Sequence, residues 1–223
     1  MFFSLDIETM ADAARCANLP PPEAPARLVD PAKIKAALES AKAKQLSQAA
    51  LSPMTGRVIC CGLHGAGEGA LHECPILPEV SDTTEAQLVQ YIFEVIADPE
   101  VRLVTFNGNH FDLPFIYRRA MILDVNPKNF NAPPLSAWTK RYDNARHVDM
   151  MTVWAGTDRI GEVDKLADVA LALLGETRAE EEYEKFPEMM QTEEGRNHIA
   201  AACLHHAELT YRIFERAQGC LFA

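Results

Sequence analysis

Ser4-Leu5-Asp6-Ile7-Glu8-Thr9 follows Met1, Phe2 and Phe3 and reads as a strand that ends in two acids. Side chains at i and i+2 of a strand share a face, so Asp6 and Glu8 point the same way while Ile7 anchors the other side. Two carboxylates this close repel, and once half-buried they must take up a proton or hold a cation. Hard divalent ions such as Mg²⁺ and Mn²⁺ prefer oxygen ligands and are the natural partners. Asp-x-Glu is also a common tripeptide near strand ends, so the rest of the chain has to decide between the two.

The 223 residues fit one domain with a Pro-rich and helical insertion at about 11–52. An apolar fraction of 48% is ordinary for a chain with a real core. The formal net charge of −11 argues against nucleic-acid binding through bulk positive charge. It does not exclude a nuclease, whose carboxylates add negative charge beside a local basic groove. The six cysteines form no Cys-x-x-Cys pair, which speaks against a zinc ribbon. Cys60 and Cys61 lie inside an apolar run and read as core. There is no basic leader and no apolar run near the ~20 residues of a membrane helix, so the expectation is a soluble, reducing, cytoplasmic setting.

Beyond the first strand, Pro20, Pro21, Pro22 and Pro25 form a stiff connector. Asp30-Pro31 opens a helix that runs to about Leu51, with Asp30 as N-cap. That helix carries Lys33, Lys35, Lys42 and Lys44 against Glu39 alone, either a solvated face or one that meets phosphates. A buried strand spans Arg57 to His64, and Gly65, Gly67 and Gly69 loop into a third strand near Ala70–Leu77. These glycines lack the strand-turn-helix context of a nucleotide loop. Ser81 or Asp82 caps a helix with Glu85 in its first turn; Asp98-Pro99 ends it. An apolar strand, Val101–Phe106, leads into Asn107-Gly108-Asn109-His110-Phe111-Asp112-Leu113-Pro114 and a helix from about Asp112 to Leu123. His147-Val148-Asp149 reads as a short strand, Gly161–Leu174 as an amphipathic helix stopped by Gly175, Glu180–Glu184 as an exposed acidic run, and Glu193–Gln218 as the last helix. Strands interleaved with helices, with an antiparallel opening, predict an α/β layered domain on a mixed sheet.

Leu5-Asp6-Ile7-Glu8-Thr9 and Phe106 through Pro114, in this order, resemble the first two motifs of the DEDD 3′–5′ exonuclease superfamily. The chain is most similar to predicted exonucleases related to the proofreading domain of family B DNA polymerases. Asp30-Pro31, Leu51-Ser52-Pro53 and Arg57-Val58-Ile59 also resemble members of that group. The resemblance runs from the first strand to the last helix. It implies a ribonuclease H-like, mixed five-stranded sheet flanked by helices. It also implies hydrolysis of phosphodiester bonds at the 3′ end of single-stranded DNA or short oligonucleotides, with two divalent metal ions (Mg or Mn). In that scheme Asp6 bridges both metals, Glu8 holds the nucleophile-side ion, and Asp112 serves the second site directly or through water. Thr9 and Asn107 would touch the substrate, and Phe111 or Leu113 would wedge against the terminal base. Asp112, two residues before Pro114 at a helix start, is equally a good N-cap, and the two roles are compatible.

The third motif departs from the family pattern of Tyr-x-x-x-Asp or His-x-x-x-x-Asp. Cys203, Leu204, Ala207, Leu209 and Thr210 match its flanking residues, which puts Ala202 at the tyrosine, His206 at the aspartate and Ala201 at the alternative histidine. His206 either ligates a metal, favouring Mn²⁺ or Zn²⁺ over Mg²⁺, or is a polar group in a cleft that has lost its metal. His205 or His198 could serve the attacking water; Glu208, two residues on, points away from His206. His147 and Asp149 share a face of their strand and read as structural supports more than as catalytic groups. Lys140, Arg141 and Arg146 are candidates for backbone phosphates, and Trp138, Trp154 and Tyr142 for base stacking. The alternatives are a catalytically weak or inactive exonuclease-like protein that binds nucleic acid or a replication or repair protein, and hydrolysis of a small nucleotide.

Overall fold

The computed structural model describes residues 1–67, 69–139, 144–156, 164–176 and 183–220. Lys140, Arg141, Tyr142, Gly161 and the stretch 180–182 lie outside these. In chain order the elements are β1 (Phe2–Ala11), α1 (Ala13–Cys16), α2 (Pro31–Ala50), β2 (Gly56–Gly65), β3 (His72–Glu73), α3 (Asp82–Ala97), β4 (Arg102–Thr105) and α4 (Asp112–Ile122). Then come α5 (Leu135–Trp138), β5 (His147–Asp149), α6 (Met150–Ala155), α7 (Leu166–Leu174), α8 (Phe186–Met189) and α9 (Glu193–Ala217), with short 3₁₀ turns at Pro127–Phe130 and Tyr183–Lys185.

The five strands form one sheet in the order β3-β2-β1-β4-β5. The β1–β2 and β2–β3 pairs are antiparallel; β1–β4 and β4–β5 are parallel. This is the mixed five-stranded sheet flanked by helices that the resemblance implies. The third strand is shorter than expected: only His72–Glu73 pairs regularly, with a lone bridge from Cys60 to Ile76.

Strand alternation sorts β1 into two faces. Phe3, Leu5 and Ile7 are buried in the larger apolar cluster, with Leu88, Ile92 and Phe93 of α3 and Leu113, Phe115 and Ile116 of α4. Ser4, Asp6 and Glu8 face α9, where Ser4 Oγ donates to the Ala207 carbonyl at 2.6 Å. Farther along α9, Leu209, Ile213 and Phe214 close a second cluster with Val104, Val148, Leu166 and Val169. α9 lies directly on β2 at Gly62, where a Cβ would come within 2.6 Å of the Cys203 carbonyl oxygen. Only glycine permits that approach.

The cap chemistry holds in most places. Asp30 accepts from Ala32 N–H at 2.9 Å with Pro31 at the first helical position. Gly175 ends α7 in the left-handed region at φ 70°. The partner of Ser81 in its capping box is Thr84. Glu85 has a different task. It is fully buried, receives Arg119 Nε and Nη2 at 2.7 and 2.6 Å, and accepts Val58 N–H at 2.9 Å. Arg57 extends this buried ion-pair network to Asp12 and to Asp82. The network ties α3, α4 and β2 together beneath the end of β1. Among the described residues, no helix is long and apolar enough to cross a membrane.

Candidate metal centre

The end of β1, the start of α4 and the middle of α9 bring the expected residues together. β1 carries a register shift between Glu8 and Thr9, the kind of irregularity that re-aims side chains at the end of a pairing. Glu8 is buried, and Asp6 is about one-fifth exposed. Across from them, His206 Nδ1 lies 3.2 Å from Glu8 Oε1 and 3.6 Å from Asp6 Oδ2. Ligand atoms of Asp6, Glu8 and Cys203 lie within 4.8 Å of one another. The α9 register inferred from flanking residues therefore puts His206, itself buried, against both acids. His205 and His198 are exposed, while Ala202 is half-buried.

Asp112 is not the N-cap of α4. Phe111 holds that position with no side-chain cap, and Asp112 is the first helical residue. Its carboxylate instead accepts the N–H of Ile7 at 3.1 Å, linking the second motif to the backbone between Asp6 and Glu8. The local sequence pattern could not distinguish an acceptor for its own helix from one for a strand a hundred residues earlier. Burial pushes the Asp112 carboxyl well above the usual range and the charge of Asp6 adds to the rise, with backbone N–H groups opposing. A cation joining the cluster would favour its ionised form.

Asn107 leads the turn before α4 in the left-handed region, φ 74°, a conformation Asn tolerates better than most residues. Asp149 holds this turn by accepting the N–H groups of Asn107 and Asn109, both at 2.9 Å, and it also caps α6 through Met151 N–H at 3.1 Å. His147 is buried between Thr105 Oγ1 (2.8 Å) and the Trp138 carbonyl (3.0 Å). Thr105 Oγ1 in turn accepts Gly108 N–H at 3.1 Å. His147 and Asp149 thus act as positioning residues for the second motif. Burial holds the His147 pKa below its usual value, which favours the neutral imidazole.

Several substrate candidates are placed where they have little to offer. Leu113 is wholly enclosed in the core, so of the two wedge candidates only Phe111 keeps exposed surface; it tilts against Phe115 at 5.5 Å. Thr9 is buried and pairs with Val58. Trp138 is also buried: its Nε1 donates to Tyr117 Oη at 2.9 Å, and the Arg146 guanidinium sits 4.9 Å from its ring centroid. Packing accounts for Trp138, and a stacking contact accounts for Arg146. Trp154 remains partly exposed and donates to Asp164. The α2 lysines are all exposed, and Ala49 is the only residue of that helix that is buried.

Residues 57–218 match the family described as predicted 3′–5′ exonuclease related to the exonuclease domain of PolB. The matched span holds the second and third motifs; Asp6 and Glu8 precede it. A 45-residue stretch, 20% of the chain, is 40% identical to DNA polymerase 1 of Sulfurisphaera ohwakuensis and covers 5% of that protein. The fold is similar to that of the family B DNA polymerase from the hyperthermophilic archaeon Pyrobaculum calidifontis, with a TM-score of 0.62 at 15% identity. That likeness covers 97% of this chain and 24% of the polymerase. The chain thus spans only a small part of both proteins.

Proposed function

This chain belongs to the predicted 3′–5′ exonucleases related to the exonuclease domain of PolB, and from that premise we propose that it is a divalent-metal-dependent exonuclease acting on the 3′ end of single-stranded DNA or short oligonucleotides. The observation that carries the reading is the convergence of Asp6, Glu8 and His206, with Nδ1 at 3.2 and 3.6 Å from the two carboxylates. Two oxygen donors and one imidazole nitrogen suit a cation of intermediate softness, so Mn²⁺ fits this donor set better than Mg²⁺. Asp112, buried and raised in pKa beside Asp6, is the carboxylate that would serve a second ion, directly or through water.

Divalent ions held by Asp6, Glu8, His206 and Asp112 would supply a water of lowered pKa and neutralise charge building on the scissile phosphate. The chain's own residues do the rest. Asp6 and Glu8 fix the donor oxygens on a strand end, a rigid support for the geometry. Asp112 is kept in place by Ile7 N–H. Asp149 holds the Asn107 turn so that the Asn107 side chain meets the substrate from one side, while Phe111 offers its ring to the terminal base. The exposed lysines of α2 offer a sequence-independent contact for the phosphate backbone. A second reading, a weakly active or inactive relative that binds nucleic acid, is favoured by one feature: Ala202 and His206 stand where the family has Tyr and Asp, leaving no fourth carboxylate.

Calorimetric titration with Mn²⁺ and Mg²⁺ in the presence of a mononucleotide tests the site. Degradation of a 5′-labelled single strand tests the chemistry. The expected result is Mn²⁺ binding tighter than millimolar, lost in Asp6→Asn, with shortening from the 3′ end. No binding of either ion by the folded protein would end the enzyme reading.

A further inference from the structure

Cys60, Cys74 and Cys203 are far apart in the chain, yet their sulfur atoms all lie within 4.8 Å of one another. The convergence follows from the sheet. Cys60 stands opposite Glu8 in the β1–β2 ladder, which puts it on the face that meets α9. Its neighbour Cys61 stands opposite Ile7, on the other face, and takes no part. Cys74 lies two residues before Ile76, which bridges to Cys60, so alternation brings it to the same face. Cys203 descends from α9 where Gly62 lets the helix settle on β2. All three are free thiols.

Core packing alone accounts for buried cysteines one at a time, but not for three sulfurs facing one another across two layers. Three further observations favour a ligand. A zinc ion bound by thiolates has Zn–S bonds of about 2.3 Å, which sets neighbouring sulfurs about 3.8 Å apart. Sulfurs within 4.8 Å reach that spacing with small side-chain shifts. Gly62 N–H donates to Cys203 Sγ at 3.1 Å, the backbone support that a thiolate ligand needs. Cys60 and Cys203 are buried while Cys74 is only half-buried, which leaves a way in from solvent.

We propose that Cys60, Cys74 and Cys203 form a binding site for one thiophilic d¹⁰ cation, Zn²⁺ or Cu⁺, beside the carboxylate cluster and distinct from it. Soft sulfur donors select such ions over Mg²⁺ and Mn²⁺. Binding releases the thiol protons to solvent and involves no change of oxidation state. Cys203 is the point of contact between the two clusters, since its Sγ also lies 3.5 Å from the Asp6 carbonyl oxygen and 3.7 Å from Asp6 Oδ2. The proposal stands or falls independently of nuclease activity.

The test uses the full chain, reduced and free of oxygen. Cd²⁺, as a spectroscopic substitute for Zn²⁺, is titrated while the ultraviolet thiolate-to-metal charge-transfer band is followed, and Cu⁺ is titrated against a chromophoric chelator. The expected result is one equivalent bound with a three-thiolate band. Cys74→Ser, at a half-buried position, is expected to reduce that band by one ligand's share and to weaken Zn²⁺ binding by at least about 10-fold. Asp6→Asn with Glu8→Gln is expected to leave the band in place. Displacement of Cd²⁺ by Zn²⁺ supports a zinc site, and a response to Cu⁺ alone supports a copper site. Should Cys74→Ser fail to fold, a melting temperature of the Asp6→Asn, Glu8→Gln protein that rises with Zn²⁺ but not with Mn²⁺ serves in its place. Binding without a thiolate band, a band indifferent to Cys74, or an intramolecular disulfide with no cation bound by the reduced chain would each overturn the proposal.

Discussion

His206 Nδ1 stands 3.2 Å from Glu8 Oε1, so the imidazole fills the corner that the proposed register of α9 gives to a carboxylate. Replacing it with His206→Asp, together with Ala202→Tyr, restores both the fourth acid and the hydroxyl that would orient the attacking water. Hydrolysis supported by Mg²⁺ is expected to rise about 10²-fold, the scale of a regained general acid–base group. Without divalent ion the double mutant is expected to melt below wild type, because three acids then crowd one corner. An unchanged Mg²⁺ rate in a folded double mutant would show that this register of α9 plays no part in the reaction.

Asp112 gives a pH signature. In the unfolded chain it ionises near 3.8, and in the fold it keeps its proton to higher pH. Stability therefore falls as pH rises from 3.8 through the folded value, and the penalty persists above it. Asp112→Asn keeps an acceptor for Ile7 N–H and removes the charge. In the absence of metal it is expected to melt progressively above wild type as pH rises, and to gain less than wild type from added Mn²⁺. Melting curves across pH, with and without Mn²⁺, measure both effects.

Arg119 and Glu85 are both inaccessible to solvent. Removing one member leaves a buried charge without its partner, so Arg119→Met or Glu85→Gln is expected to cost about 3–5 kcal/mol. The double replacement, Arg119→Met with Glu85→Gln, is expected to cost less than the sum of the two. Urea unfolding of the four proteins completes the cycle; an additive result would mean that the pair is not coupled.

His147 works in the opposite sense to Asp112. The unfolded residue takes a proton near 6.5, whereas the buried imidazole resists it. Its contribution to stability is complete above 6.5 and is lost as pH falls from there toward the lower folded value. His147→Gln is expected to start from a lower stability near neutral pH and to show a flatter loss below 6.5. Loosening of the turn it supports through Thr105 would appear as faster amide exchange at Gly108.

The sheet and the convergence of Asp6, Glu8 and His206 were legible because they depend on short-range patterns. Alternation placed Asp6 with Glu8 and His147 with Asp149, and the residues flanking the third motif fixed His206 in register. What stayed hidden depends on partners distant in sequence. Nothing in the local sequence around Arg119 in α4 marks the buried Glu85 that meets it from α3. Asp112 reads as a cap until Ile7 claims its carboxylate. Trp138 follows a loop rich in proline and looked available to a base, but Tyr117 and Arg146 enclose it. The cysteine trio shows no spacing motif, because a strand, a loop and a helix contribute one sulfur each.

The bond from Ile7 N–H to Asp112 has a mechanical consequence. It fastens the strand end that carries Asp6 and Glu8 directly to the first turn of α4, without relying on α9 laid over them. A substitution at position 206 of α9 is then expected to change one donor of the corner without the opposing acids losing their alignment. Such a chassis would let the donor set of this corner change while its frame stands intact.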